Sequence, residues 1–251
     1  GADIKTVYSP LKALEYAQGN PTKSVVFIGI GFETTAPTIA LTIKKAKSDR
    51  VNNFSVLCLH KTMPQILKTL LKDCKSLDGL LLPGHVCSII GAKPFNFIAE
   101  QYNIMGVISG FTPEDVVESI ETIMQNRYNP FIHIQYKRAV TFQGNRISQQ
   151  VIEEVFEATD SCWRGFGTVK DSGLAIKEEW SAFDARKKYG LRPKLTSSRK
   201  ENKCKCGEII RGVLTPLECP LFKKSCSPVH PKGPCMVSSE GSCSIYYKFG
   251  G

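Results

Sequence analysis

The sequence predicts an α/β protein, an open and mostly parallel sheet with helices on both faces, followed by a small cysteine-rich C-terminal module. Three observations carry this. Short β-branched runs alternate with helix-period segments across residues 1–160, the signature of parallel strands joined by crossover helices. Several of these runs end in glycine-bearing turns, where open parallel sheets collect their chemistry. Six of the ten cysteines fall in the last fifty residues, in a stretch rich in Pro, Gly and Lys that has too few large apolar side chains to fold on burial alone.

Taken in order, Lys5–Tyr8 is expected as a strand. Ser9 and Pro10 then open a helix, with serine as N-cap and proline at the first helical position. Ser24–Ile28 is a β-branched strand, followed by a glycine turn and a helix from about Pro37 to Lys47. Asn53–Cys58, Gly79–Leu82 and Met105–Ser109 are three further strands. Thr112-Pro113-Glu114-Asp115 is the clearest helix start, with a cap, an N1 proline and acids at the positive end of the dipole, and this helix should run to about Arg127. Phe131–Gln135 is expected as a strand and Ser148–Ala158 as a helix, with Val151, Ile152, Val155 and Phe156 on one face. Trp163-Arg164-Gly165-Phe166-Gly167, and Trp180 within the amphipathic stretch Glu178–Tyr189, read as packing elements joining sheet to tail. The resulting division is a core domain at 1–160, a connecting segment and basic linker at 161–200, and the cysteine module at 201–251.

The net charge of +10 would suggest nucleic acid or a membrane surface if it were spread over the fold. It is not: between Arg186 and Lys205 nine Lys and Arg face one acid, Glu201, a local +8 that leaves +2 elsewhere. That reads as a solvated connector, then as a docking segment for an acidic protein. Nucleic acid comes last, because stacking aromatics are not interleaved with the charges. The opening Gly1-Ala2-Asp3-Ile4-Lys5 has no basic n-region followed by an apolar h-region, and no apolar run approaches a membrane span, so a cytosolic protein is expected.

Three strand-end loops stand out. Gly29-Ile30-Gly31-Phe32-Glu33-Thr34-Thr35-Ala36-Pro37 resembles a dinucleotide fingerprint, but it lacks the third glycine and puts Glu33 where a pyrophosphate should lie. A nucleotide site is rejected there. What remains is a turn presenting a carboxylate and two hydroxyls, which could serve chemistry or simply cap the next helix. Leu82-Pro83-Gly84-His85-Val86-Cys87 places an imidazole and a thiol two residues apart, as a metal site or an activated thiolate would need, although nothing in the spacing makes them meet. Ser109-Gly110-Phe111-Thr112-Pro113 is explained by helix capping. With no Ser–His–Asp order and no HExxH pattern, a conventional hydrolase is not expected.

For the tail, disulfides suit an oxidising compartment, and zinc usually asks for tight C-x2-C knuckles that this chain lacks. An iron–sulfur cluster spans more space and tolerates wide, unequal gaps such as Cys206-x12-Cys219-x6-Cys226-x16-Cys243. Spacing alone does not choose the four ligands, and Cys204 and Cys235 stay open as alternates. Cys58, Cys74, Cys87 and Cys162 are assigned to packing.

Loops and tail together resemble the HypD family of nickel–iron hydrogenase maturation. The resemblance rests on Gly31-Phe32-Glu33-Thr34-Thr35, Pro83-Gly84-His85-Val86, Gly110-Phe111-Thr112-Pro113-Glu114-Asp115 and Trp163-Arg164-Gly165. It continues in Cys206-Gly207-Glu208 and in Gly233-Pro234-Cys235-Met236-Val237-Ser238-Ser239-Glu240-Gly241. It implies two similar α/β domains with an iron–sulfur module, and a 4Fe-4S cluster on Cys206, Cys219, Cys226 and Cys243. It further implies a scaffold rather than a conventional enzyme, holding a transient iron while cyanide and carbonyl ligands are installed, with a HypC-like small chaperone and a HypE-like cyanide donor as partners. Glu33, Thr34, Thr35 and His85 are then cleft residues. Two departures are visible: the family's Cys-Gly-Thr-His motif and its close cysteine pair are not recognisable, and Cys87 stands where the family usually has serine. The chain resembles a family member from within its first half onward. The rival expectations are a thiol–disulfide or electron-transfer oxidoreductase using Cys204 and Cys235, and a zinc-stapled nucleic-acid-binding protein.

Overall fold

The computed structural model describes residues 3–72, 77–163, 166–192 and 203–250. The chain divides into two compact units, one of Gly1–Lys68, Leu77–Ser161 and Lys170–Arg192, the other of Thr69–Ser76, Cys162–Val169 and Pro193–Gly251. The larger is α/β with parallel strands, as expected.

Its first half begins with α1 (Pro10–Gly19), started by the Ser9 side chain accepting from the Lys12 N–H at 3.3 Å. β1 (Val25–Gly29) and β2 (Phe54–Cys58) pair in parallel from Val25↔Phe54 to Gly29↔Cys58, with α2 (Ala36–Ser48) as the crossover. Leu14, Ile39, Ile43, Phe54 and Val56 form the core between them, each within 2% of complete burial. A side chain withdrawn from water to that degree contributes about 1.5–3 kcal/mol. After α3 (Met63–Leu71) comes the second half: β3 (Gly79–Pro83), α4 (Gly84–Ile90), α5 (Phe97–Tyr102), β4 (Met105–Ser109), α6 (Pro113–Asn126) and β5 (Ile132–Ile134). β4 lies between β3 and β5, parallel to both, and is buried along its whole length. Its unbroken apolar run follows from being covered on both faces. α6 starts with the expected capping box between Thr112 and Asp115.

α7 (Arg146–Val155) returns to the first core through Val151 and Val155. β6 (Phe156–Trp163) and β7 (Gly167–Ile176) then form a two-stranded sheet that the sequence reading missed. A 3-10 helix (Glu178–Phe183) and α8 (Ala185–Lys188) follow, and Trp180 packs on the first core with its indole N–H donating to the Glu154 carbonyl at 2.9 Å.

Two expectations are corrected. Lys5–Tyr8 forms no strand; Ile4 is 89% exposed, and a strand exists only through the ladder that a neighbour completes. The helix expected at Ser148–Ala158 starts at Arg146, capped by Asn145, and ends at Val155, because Phe156 has already turned extended (φ −115, ψ 154). Phe156 is buried, but as a strand residue. The parallel strands form two ladders, β1-β2 and β3-β4-β5, and one face of β1 is open, with Val26 and Ile28 exposed. Cys74, Arg164, Gly165 and linker residues 193–202 lie outside the described residues.

The smaller unit contains α9 (Cys206–Ile210), a 3-10 turn (Pro216–Glu218), α10 (Pro234–Val237) and α11 (Ser242–Phe249). Its buried core is Cys206, Ile209, Cys219, Phe222, Cys226, Cys235, Met236 and Cys243. Among the described residues no helix is long and apolar enough to cross a membrane.

Candidate functional site

The turn after β1 is held from one side by the segment leaving β2. Leu59 N–H donates to Gly29 O at 2.8 Å and Lys61 N–H to Gly31 O at 2.9 Å, so the pairing runs past the strands. Gly31 sits at φ 135°, and a Cβ there would come within 2.5 Å of Thr35 Oγ1. The glycine makes room for that hydroxyl, not for a phosphate. Glu33 is 5% exposed; its Oε1 accepts from the Met63 N–H at 2.9 Å, while its Oε2 is buried and has no hydrogen-bond partner among the described residues. Burial pushes the carboxyl above its usual range, the expected response of a desolvated acid. Thr34 is half-buried. The expected capping of α2 is not made: Thr35 occupies the N-cap position in helical backbone and its side chain does not cap. Instead Thr35 Oγ1 lies 3.3 Å from the carbonyls of Ile30 and Phe32 and 3.0 Å from His60 Nε2.

His60 escaped the sequence reading. It is 1% exposed, and burial drives its pKa down to about 4, so the ring is neutral. Its Nδ1 is 3.4 Å from Cys58 Sγ, which is also 3.1 Å from the Leu174 carbonyl on β7. Burial pushes that thiol up to about 11. The only sequence signal was position: Cys58-Leu59-His60 ends an apolar strand, as the other two chemical loops do.

The loop after β3 separates what the sequence placed together. His85 is exposed and stacks on Phe111 at 3.9 Å and 24°. Cys87 is fully buried two residues later in α4, where helical geometry turns side chains about 200° apart. Its thiol is pushed up to about 12, by burial first and then by the Glu33 charge. The possible His85–Cys87 pair is therefore not formed, and the thiol is not activated.

Tyr136, likewise missed, lies against both neighbouring loops. A Cβ on Gly84 would come within 2.8 Å of one ring edge and a Cβ on Gly110 within 2.8 Å of the other. Arg138 lies over the same ring at 4.4 Å and forks onto Asp115, with Nη1 2.9 Å from Oδ1 and Nη2 on Oδ2. Gln135 also donates to Asp115 at 2.9 Å. The Arg138 guanidinium, then Gln135, hold the Asp115 carboxyl well below the usual range. The third loop thus does more than cap a helix: its capping acid fixes the arginine beside His85's aromatic support.

In the smaller unit, Cys206, Cys219, Cys226, Cys235 and Cys243 are buried and Cys204 is half-buried. Cys235 N–H donates to Cys206 Sγ at 3.3 Å, Lys232 N–H to Cys226 Sγ at 3.3 Å, and Cys235 Sγ is 3.2 Å from Cys243 Sγ. Cys204 and Cys243 both have their pKa raised, by burial first and then by Cys206, Cys219 and Cys226, so both lie within electrostatic reach of the same three sulfurs. Among the described residues no three His, Cys, Asp or Glu side chains converge as around one ion. The donor set, soft sulfurs spread over one small core with backbone N–H groups aimed at two of them, fits an iron–sulfur cluster.

Fold and loops together mark a hydrogenase formation protein. The family model HypD, described as the hydrogenase formation hypA family, matches residues 1–250, and the chain belongs to the HypD family. It is 42% identical over 257 residues to the hydrogenase maturation factor HypD of Rhodobacter capsulatus, spanning 100% of this chain and 68% of that protein. Against the maturation factor HypD of Escherichia coli it is 40% identical over 253 residues, covering 99% and 67%. A hydrogenase expression/formation protein of Methanocaldococcus jannaschii is 39% identical over 251 residues, covering 99% and 70%.

Proposed function

We propose that this chain is a cytoplasmic scaffold on which the Fe(CN)2CO centre of nickel–iron hydrogenase is assembled, with a 4Fe-4S cluster in the smaller unit for electron supply. The observation that carries the reading is the smaller unit's core, where five of eight buried residues are cysteines. Such a core needs a staple beyond apolar burial. Cys206, Cys219, Cys226 and Cys243 are the proposed ligands, with Cys204 and Cys235 as alternates. When bound, the cluster supplies one-electron transfers at a potential set by burial and by hydrogen bonds to sulfur. The Cys235 and Lys232 N–H groups would temper the charge on two of those sulfurs.

At the strand ends, Glu33, Thr34, Thr35 and His85 are the proposed groups around the iron being dressed. His85 presents an imidazole held flat by Phe111. Glu33, biased by burial toward its protonated form, suits donation from Oε2 to an acceptor atom on that cargo. A HypC-like chaperone sharing the iron and a HypE-like cyanide donor are the partners this reading requires. Protein purified without air should be brown, with iron and sulfide in equal amounts. With both partners added it should show infrared stretches of iron-bound cyanide and carbonyl. A colourless protein carrying stoichiometric zinc would overturn the reading.

A further inference from the structure

We propose that His60 is a positioning residue that locks the turn at residues 29–35, acting as its Nε2–H tautomer and donating to the hydroxyl oxygen of Thr35. Three groups surround Thr35 Oγ1: the Ile30 and Phe32 carbonyls at 3.3 Å and His60 Nε2 at 3.0 Å. A hydroxyl has one proton and two lone pairs, and a carbonyl only accepts. If the proton went to the imidazole, two carbonyl oxygens would face Oγ1 with no hydrogen between them. The proton therefore goes to a carbonyl, Oγ1 turns a lone pair to the ring, and Nε2 must carry the hydrogen.

The rest of the ring agrees. A neutral imidazole protonated at Nε2 has a bare Nδ1, and the group facing it is the Cys58 thiol at 3.4 Å. The thiol has one proton, which lies between two acceptors, Nδ1 at 3.4 Å and the Leu174 carbonyl at 3.1 Å, as a three-centre bond. Hydrogen bonds thus run in one direction, from Cys58 through His60 to Thr35 and into the turn. Gly29 completes the fit, since a Cβ there would come within 3.0 Å of the imidazole Cε1.

The lock divides labour within the turn. Thr35 has spent its only proton inside the protein, so although exposed it can meet a ligand only as an acceptor, which leaves proton donation from the turn to Thr34 and the buried Glu33. Only this last assignment rests on the scaffold reading; the lock does not.

The test uses the full chain and no iron, so its failure is distinguishable from failure of the scaffold reading. Nitrogen NMR of the wild-type ring should show Nε2 protonated and Nδ1 bare. Amide exchange over residues 30–35 should stay within about threefold of wild type in His60→Gln, whose side-chain amide can still donate. It should accelerate about tenfold or more in His60→Leu, which fills similar space without a donor, consistent with losing one buried hydrogen bond. Thr35→Ser should behave like the first and Thr35→Val like the second, which keeps the test decisive if His60→Leu does not fold. A ring protonated at Nδ1, or leucine protecting the turn as well as glutamine, would overturn the proposal.

Discussion

In the larger unit Leu14, Ile43, Phe54 and Val56 are withdrawn from water between helices and parallel strands; in the smaller, thiols occupy much of that place, with Ile209, Phe222 and Met236 buried beside them and Leu214, Leu221 and Tyr246 packed partly buried against them. The first interior gains its free energy from area alone and needs nothing but the chain. The second has little such area and short helices, α10 of only four residues, that cannot stand by themselves. On the proposed reading, one unit is finished by folding and the other by the cluster it binds.

That contrast is exposed most directly by removing the staple. In anaerobic protein, Cys219→Ser or Cys226→Ser should abolish the brown colour and release all the iron. Amides of residues 206–249 should then exchange freely, while those of β4 stay protected. Equal protection of both units in these variants would erase the distinction. The next effect belongs to the larger unit alone. His60 has its pKa lowered from 6.5 to about 4, so stability is full above pH 6.5 and is lost as pH falls towards 4, by about 3 kcal/mol in all. Denaturant melts across that range should show this loss in the wild type and its disappearance in His60→Gln. The smallest effect is local: Thr112→Ala removes the side-chain half of the α6 capping box and should cost about 1 kcal/mol, without changing the iron content of the smaller unit.

Much of the fold was legible because its signals are local. Thr112-Pro113-Glu114-Asp115 announces α6 through capping chemistry, and Met105–Ser109 announces β4 as a strand through Met105, Val107 and Ile108. Lys5–Tyr8, expected as a strand on little more than Val7 and Tyr8, is none, since pairing is settled by neighbours and not by the segment itself. The end of α7 was misplaced because Phe156 continues the helical period while its backbone has left the helix. In the strand-end loops the sequence showed where chemistry gathers but not which side chains meet. His85 and Cys87 diverge although close in sequence, whereas Thr35 and His60 meet across twenty-five residues. Such a meeting follows from the register of β1 on β2, and register is not written in either residue.

Tyr136 leaves a lopsided pattern of tolerance around the second loop. Its ring fills notches that exist because positions 84 and 110 carry no side chain, yet the Ser109 carbonyl and the Asp115 carboxylate also crowd those two sites. A smaller residue at 136 would therefore not make room for alanine at either glycine. In a mutational library position 136 can shrink alone, while the two glycines stay frozen whatever their neighbour becomes.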